Sequence, residues 1–163
     1  MYQQTPFTGQ AVFEKQAQLW WDAEGPFWPL HKMNTLRLSY IVDHIIAANN
    51  LHDRNMKPLR GLRILDVGCG GGLLSEALHK NGAKVVGIDA VEKNIRIAEQ
   101  HAQKMGFGID YRHTTADQMT QQNDQYDVVI ALEVVEHVDN PQKFIADLSN
   151  LTKKGGGGFY INH

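Results

Sequence analysis

The chain has 163 residues, 42% apolar and 21% charged, the composition of one globular domain with a self-sufficient core. A single cysteine, Cys69, excludes an intramolecular disulfide framework and any multi-thiolate zinc site built within one chain. Sixteen basic residues against eighteen acidic ones leave a formal charge of -2, so composition makes no electrostatic case for nucleic acid.

Residues 1–6 lack the basic-then-apolar profile of a secretory leader, and no apolar run reaches the roughly 20 residues of a membrane span; a cytoplasmic protein is expected. Next, Phe13, Ala17, Trp20 and Trp21 recur at helical spacing and predict a short amphipathic helix, broken by Gly25-Pro26 and Pro29. The aromatic cluster has two readings: a helix packed on the domain's own core, or a lid over an apolar ligand. Asn34 is a candidate N-cap for a second helix, with Leu36, Ile41, Ile45 and Ile46 at its apolar positions. Residues 50–61, with Pro58 and Gly61, read as a connector, dividing an N-terminal helical cap (1–50) from the core (51–163) of a single domain. From there β-rich runs (Leu62–Val67, Lys84–Asp89, Ile109–His113, Asp127–Leu132 and Gly157–Ile161) alternate with helical stretches at 73–81, 92–105 and 141–151. That alternation predicts an α/β fold whose mostly parallel sheet is covered on both faces through right-handed crossovers.

The most informative segment is Ile64-Leu-Asp66-Val-Gly68-Cys-Gly70-Gly-Gly72-Leu-Leu-Ser75, an apolar strand running through glycines into a helix. Glycines suit a sharp turn with positive φ and the close approach of a ligand to the backbone. The second strand ends at Asp89, an acid placed to accept hydrogen bonds from a ribose diol, though it could instead cap the helix from Glu92. The dinucleotide pattern fails, because its last glycine position falls on Leu73 counted from Gly68 and on Ser75 counted from Gly70. Asp66 weighs further against a pyrophosphate, since a buried carboxylate beside one adds like-charge repulsion. It suits a ligand carrying an ammonium and a sulfonium.

Asp66-Val-Gly-Cys-Gly-Gly-Gly, Val86-Gly-Ile-Asp89 and Tyr126-Asp-Val-Val resemble motifs of the class I S-adenosylmethionine-dependent methyltransferases. The segments Trp20–Tyr40 and Glu133-Val-Val-Glu-His-Val138 are similar, more narrowly, to the O-methyltransferases of ubiquinone biosynthesis. The resemblance implies a Rossmann-like sheet of order 3-2-1-4-5 and S-adenosylmethionine as cofactor. Arg37 would clamp the cofactor's carboxylate, a match for a planar guanidinium, or be a solvated helix charge. Gly68 and Gly70 would approach the cofactor through their backbone, Asp66 and Asp89 would flank it, and the backbone of Leu132 would border it. Asp117 would contact the adenine amino group or merely cap a helix. Cys69 reads as a small filler rather than a nucleophile.

Methyl transfer to a phenol needs an ionised oxygen, and with a pKa near 10 the phenolate costs roughly 4 kcal/mol at pH 7. A general base or a divalent cation lowers that cost. Glu133, Glu136 and His137 would share one face if the chain turned helically there, and the resemblance associates these three with Mg2+. The rival reading is His137 as base with no metal. The seven other histidines read as structural or solvated.

The implied substrate is a polyprenylated catechol or phenol precursor of ubiquinone, with contact to the inner membrane or a quinone-biosynthesis complex. Family members continue beyond the fifth strand with two further strands, so this chain, ending at His163, reads as truncated. Its fifth strand would then be an open edge prone to pair with another chain. An alternative function follows: a cofactor-binding but catalytically silent partner subunit.

Overall fold

The segments Ile64-Leu-Asp-Val, Val85-Val-Gly-Ile and Val128-Val-Ile-Ala-Leu are apolar at nearly every position, as strands covered on both faces must be. In the computed structural model, which describes residues 9–49, 57–132 and 134–162, these segments form the centre of a five-stranded parallel sheet. The strands are β1 (Arg63–Val67), β2 (Lys84–Asp89), β3 (Asp110–His113), β4 (Val128–Leu132) and β5 (Phe159–Asn162), in spatial order 3-2-1-4-5. This is the expected order. Parallel register sets Val67 beside Ile88 and Ala131, and Asp89 beside His113. All strand C-termini therefore lie along one end of the sheet, where the connecting loops gather.

Alternation along the strands divides the core in two. Leu65, Val67, Val86, Ile88, Val129 and Ala131 face Met119, Tyr126, Phe144, Leu148 and Leu151. Ile64, Val85, Val128 and Ile130 face the other way, against Ile41, Ile45, Leu59, Leu74 and Leu78. The helices on the second side include α2 (Trp28–Ala48) and α3 (Leu73–Lys80); α6 (Pro141–Leu151) covers the first. Helix α4 (Glu92–Met105) matches its expected bounds and packs Ile95, Ala98 and Ala102 around Cys69 and Tyr111.

Three local expectations are corrected. The N-cap of α2 is Phe27, not Asn34, and Pro29 does not break a helix. It occupies the first turn, where a missing N–H removes no intrahelical hydrogen bond and the ring's fixed φ suits helix. A short helix, α5 (Ala116–Thr120), lies between β3 and β4 where none was assigned. Five residues are too few for a periodic signal, and its start is fixed by a capping box in which Thr115 Oγ1 accepts from Gln118 N–H. Strand β5 begins at Phe159 rather than Gly157. The boundary between cap and core near residue 50 lies outside the described residues, but Ile41 and Ile45 of α2 are buried in the same cluster as Ile64 and Ile130.

At the β5 side, this strand pairs with β4 alone among the described residues. Among those residues no helix is long and apolar enough to cross a membrane.

Ile130 is fully buried in the central strand β4, whereas Ile145 of α6 is 40% exposed. Ile130→Ala should lower stability by about 2–5 kcal/mol and Ile145→Ala by no more than about 0.5 kcal/mol, measured by urea denaturation.

Candidate functional site

Beyond Val67 the chain can continue neither as strand nor as helix, because it must turn back over the sheet. Gly68 takes φ 71°, and a Cβ there would overlap the Val134 side chain, so only glycine fits. The backbone N–H groups of Gly68 and Cys69 both donate to the Ile88 carbonyl (2.8 and 2.9 Å), and Gly70 N–H donates to Asp89 Oδ2 (2.9 Å). The glycine loop is thereby stitched to the end of β2. Helix α3 starts at Leu73, just past it.

Two carboxylates flank this loop. Asp66 is 3% exposed and accepts a 2.7 Å hydrogen bond from Ser75 Oγ. Burial pushes its carboxyl up to about 7; the Ser75 hydroxyl pulls it down and the nearby Asp89 charge adds to the rise. Asp89 accepts at Oδ1 from Val91 N–H (2.8 Å) and from Asn94 Nδ2 (3.4 Å). The N-cap of α4 is Val91, so Asp89 is not the cap residue its alternative reading required. A carboxylate offers about four acceptor positions, so one remains for a ligand hydroxyl.

A cavity of about 1010 Å³ opens against these groups. Its wall includes Asp66, Gly68, Cys69, Gly70 and Asp89 from the sheet end, Arg37 from α2, Asp117 from α5, Leu132 from β4 and His137 beyond it. Every cofactor-site residue expected from the sequence thus lines this one cavity. Asp117 follows the N-cap Thr115 and Ala116 and is not itself the cap; its carboxylate takes Lys143 Nζ at 2.5 Å, and that ammonium also reaches Asp147 at 3.0 Å. Cys69 is 8% exposed, and burial pushes its thiol well above the ordinary thiol range, consistent with a filler.

The expected metal trio fares differently. The chain after β4 forms a three-residue 3-10 turn (Val135–His137) rather than an α-helical turn. Glu136 and His137 are consecutive and exposed on it, and His137 but not Glu136 lines the cavity. Glu133 lies outside the described residues. Among those residues no group of three His, Cys, Asp or Glu side chains could hold a metal ion.

Trp20, Lys143 and Asp147 line the cavity without having been singled out for it. The i, i+4 spacing of Lys143 and Asp147 was the only signal for the last two, and it marks any solvated helix face equally well. For Trp20, helical spacing placed both Trp20 and Trp21 near the core without saying which would meet the loop. The structure answers both readings of the aromatic cluster: Trp21 packs on α4 through His101, and Trp20 walls the cavity. His31 Nε2 lies 2.9 Å from the Trp20 carbonyl, a structural role as expected.

A parallel 3-2-1-4-5 sheet, a glycine turn after β1, an acid closing β2 and a cavity over both define a Rossmann-like protein with a nucleoside-type ligand site. The chain belongs to the family described as "Methyltransferase domain", whose model matches residues 65–159. It is 50% identical over 149 residues to the ubiquinone biosynthesis O-methyltransferase of Ruegeria sp. (strain TM1040), and 49% over 146 residues to that of Dinoroseobacter shibae. Each match covers 90% of this chain and 59% of the relative, so the chain spans about three fifths of those relatives' length. Among solved structures, magnesium protoporphyrin IX methyltransferase (ChlM) from Synechocystis PCC 6803 with bound SAM is similar at TM-score 0.60 and 28% identity. That match covers 86% of this chain and 64% of that one.

The raised carboxyl of Asp66 has a stability consequence. A folded-state value near 7, against 3.8 for an ordinary aspartic acid, means the folded chain holds a proton that the unfolded chain gives up. Its contribution is therefore full below about pH 4 and is lost as pH rises through 7, an upper limit of about 4 kcal/mol. Denaturant titrations from pH 4 to 8 should show that decline in the wild type and a flatter profile in Asp66→Asn.

Proposed function

We propose that this chain binds S-adenosylmethionine in the cavity above β1 and β2 and belongs to an O-methyltransferase of ubiquinone biosynthesis. The observation that carries the reading is the convergence of buried Asp66, the Gly68–Gly70 turn and Asp89 on one cavity also walled by Arg37. An acid-flanked bend favours a cationic ligand over a pyrophosphate. The names of the relatives and the cofactor in the solved methyltransferase support the same choice.

The residues present fit that cofactor. Asp89 would accept from a ribose hydroxyl, Arg37 would pair with the methionine carboxylate, Asp66 would face the cationic end, and Asp117 and Leu132 would border the adenine. When bound, the cofactor supplies an activated methyl on sulfur for in-line displacement by an oxygen. The chain's own work is to hold that methyl in line with the acceptor and to take the phenolic proton. His137, exposed on the cavity wall, is the base in this reading. The described donors do not by themselves form a metal site, and no step is routed through Mg2+; Glu133, Glu136 and His137 remain the proposed ligands should one bind. The acceptor would be a polyprenylated catechol or phenol, met at the inner-membrane surface.

Calorimetry with S-adenosylmethionine and with NAD is the direct test: binding of the first and not the second is expected, and tighter NAD binding refutes the reading. Asp89→Ala should weaken S-adenosylmethionine binding about tenfold to a hundredfold, since a hydrogen bond to a charged group is worth about 1.5–3 kcal/mol. With labelled cofactor and a short-chain catechol, His137→Ala should reduce turnover by about 10²–10⁴ at unchanged cofactor affinity, the usual scale of a lost base. Cofactor binding without any turnover, with or without Mg2+, would favour the silent-subunit alternative.

A further inference from the structure

Behind the glycine loop lies a hydrogen-bonded carboxylate–imidazole pair that the methyl-transfer reading leaves unused. Glu76, in the first turn of α3, is 1% exposed. Its Oε2 accepts from Nδ1 of His101 on α4 at 2.6 Å, and its Oε1 has no partner among the described residues. The His101 imidazole lies flat on the Trp21 indole, with centroids 3.6 Å apart and planes 6° from parallel. Trp21 closes helix α1 (Gly9–Trp21) and presents an edge-on contact to His31 of α2 at 6.4 Å. One residue earlier, the Trp20 indole rests on the bare backbone of the glycine loop, where a Cβ on Gly71 would overlap the ring.

The junction is therefore a short mechanical series: Glu76 holds His101, His101 holds Trp21, and Trp21 fixes the helix end from which Trp20 reaches the loop. Neither Glu76 nor His101 nor Trp21 lines the cavity; Trp20 does. The joint is also marginal. Three polar atoms within it, Glu76 Oε1, Trp20 Nε1 and Trp21 Nε1, are buried without partners among the described residues, each desolvated without a compensating hydrogen bond. Docking of α1 thus rests on the stack and on the pair beneath it, beside the Trp20–Phe27 ring contact (4.9 Å) and the His31 contact with the Trp20 carbonyl. A ligand packed against Trp20 would add to that docking, and anything that loosens the stack would be felt by the ligand.

We propose that Glu76 and His101 are positioning residues that hold Trp20 down as one wall of the cofactor cleft, so that they set ligand affinity without touching the ligand. This rests on the reading of the cavity as the S-adenosylmethionine site. Glu76 lies beside the loop through its helix and His101 reaches it across α4, which is why two residues remote from the chemistry can act on it.

The test uses the 163-residue chain with S-adenosylhomocysteine as ligand, read by calorimetry, and acrylamide quenching of tryptophan fluorescence, to which exposed Trp28 adds a constant background. His101→Ala removes both stack and pair; His101→Phe keeps the stack. Aromatic pairs are worth about threefold to tenfold in an equilibrium, so His101→Ala should raise Kd by about that factor and increase quenching together. His101→Phe, which keeps the stack but loses the Glu76 hydrogen bond, should fall between His101→Ala and wild type in both. Should His101→Ala not fold, Glu76→Gln, which keeps the shape and one hydrogen bond, should show the same paired change at about threefold. Unchanged affinity in the folded variant, a loss of affinity without greater quenching, or a His101→Phe as weak as His101→Ala overturns the positioning role. A wild type that binds no S-adenosylhomocysteine overturns the underlying reading of the cavity instead.

Discussion

The site depends on a seam of three hydrogen bonds from backbone N–H groups, two to a backbone carbonyl and one to a carboxylate, by which the loop after β1 is sewn to the end of β2. Gly68 and Cys69 donate to the Ile88 carbonyl and Gly70 donates to the Asp89 carboxylate. Parallel pairing between the two strands reaches Val67 and Ile88 and then has no further partners to offer. Without the seam, the loop would leave the sheet with unsatisfied N–H groups, a cost that native structures avoid almost everywhere. With it, Asp89 is held by the protein's backbone on one side and presented to the cavity on the other. The acid's position is therefore a property of the loop as much as of its own strand.

Charge follows from that geometry. Asp66 lies next to the end of β1 and Asp89 ends the neighbouring β2; burial, with the Asp89 charge adding to it, holds the Asp66 carboxyl partly protonated near neutrality. The cations of the cavity wall come from elsewhere: Arg37 from α2 on one face of the sheet and Lys143 from α6 on the other. A cleft with acids at its floor and cations from the flanking helices favours a ligand that carries both signs. Lys143 is already engaged with Asp117 and Asp147, so its charge is largely local.

Much of this was legible in the residues. Strand identity came from apolar runs that need cover on both faces, and the order of the sheet from the motifs they carry. The site's floor was legible because glycine and acid at strand ends have few other uses. What escaped did so for physical reasons. Pro29 looked like a terminator because proline breaks helices in their interior, yet the first turn tolerates it. Helix α5 is one turn long and is held by a cap rather than by periodicity. The Glu-Val-Val-Glu-His run reads as a helical face only if it turns as an α-helix, and the backbone takes a tighter 3-10 turn. Trp20 and Trp21 are adjacent, and no spacing rule tells which of two neighbours meets a loop distant in sequence.

The matched family segment begins at residue 65, inside β1, whereas Trp20, Asn34 and Arg37 of the cavity wall come from helices well upstream. An excision made at that boundary would keep the glycine loop, the acid closing β2 and most of the sheet, yet lose the Trp20–Tyr40 segment and with it one side of the cavity. Swapping that stretch between relatives would exchange the Trp20 and Arg37 side of the chamber while leaving the glycine turn and the β2 acid untouched.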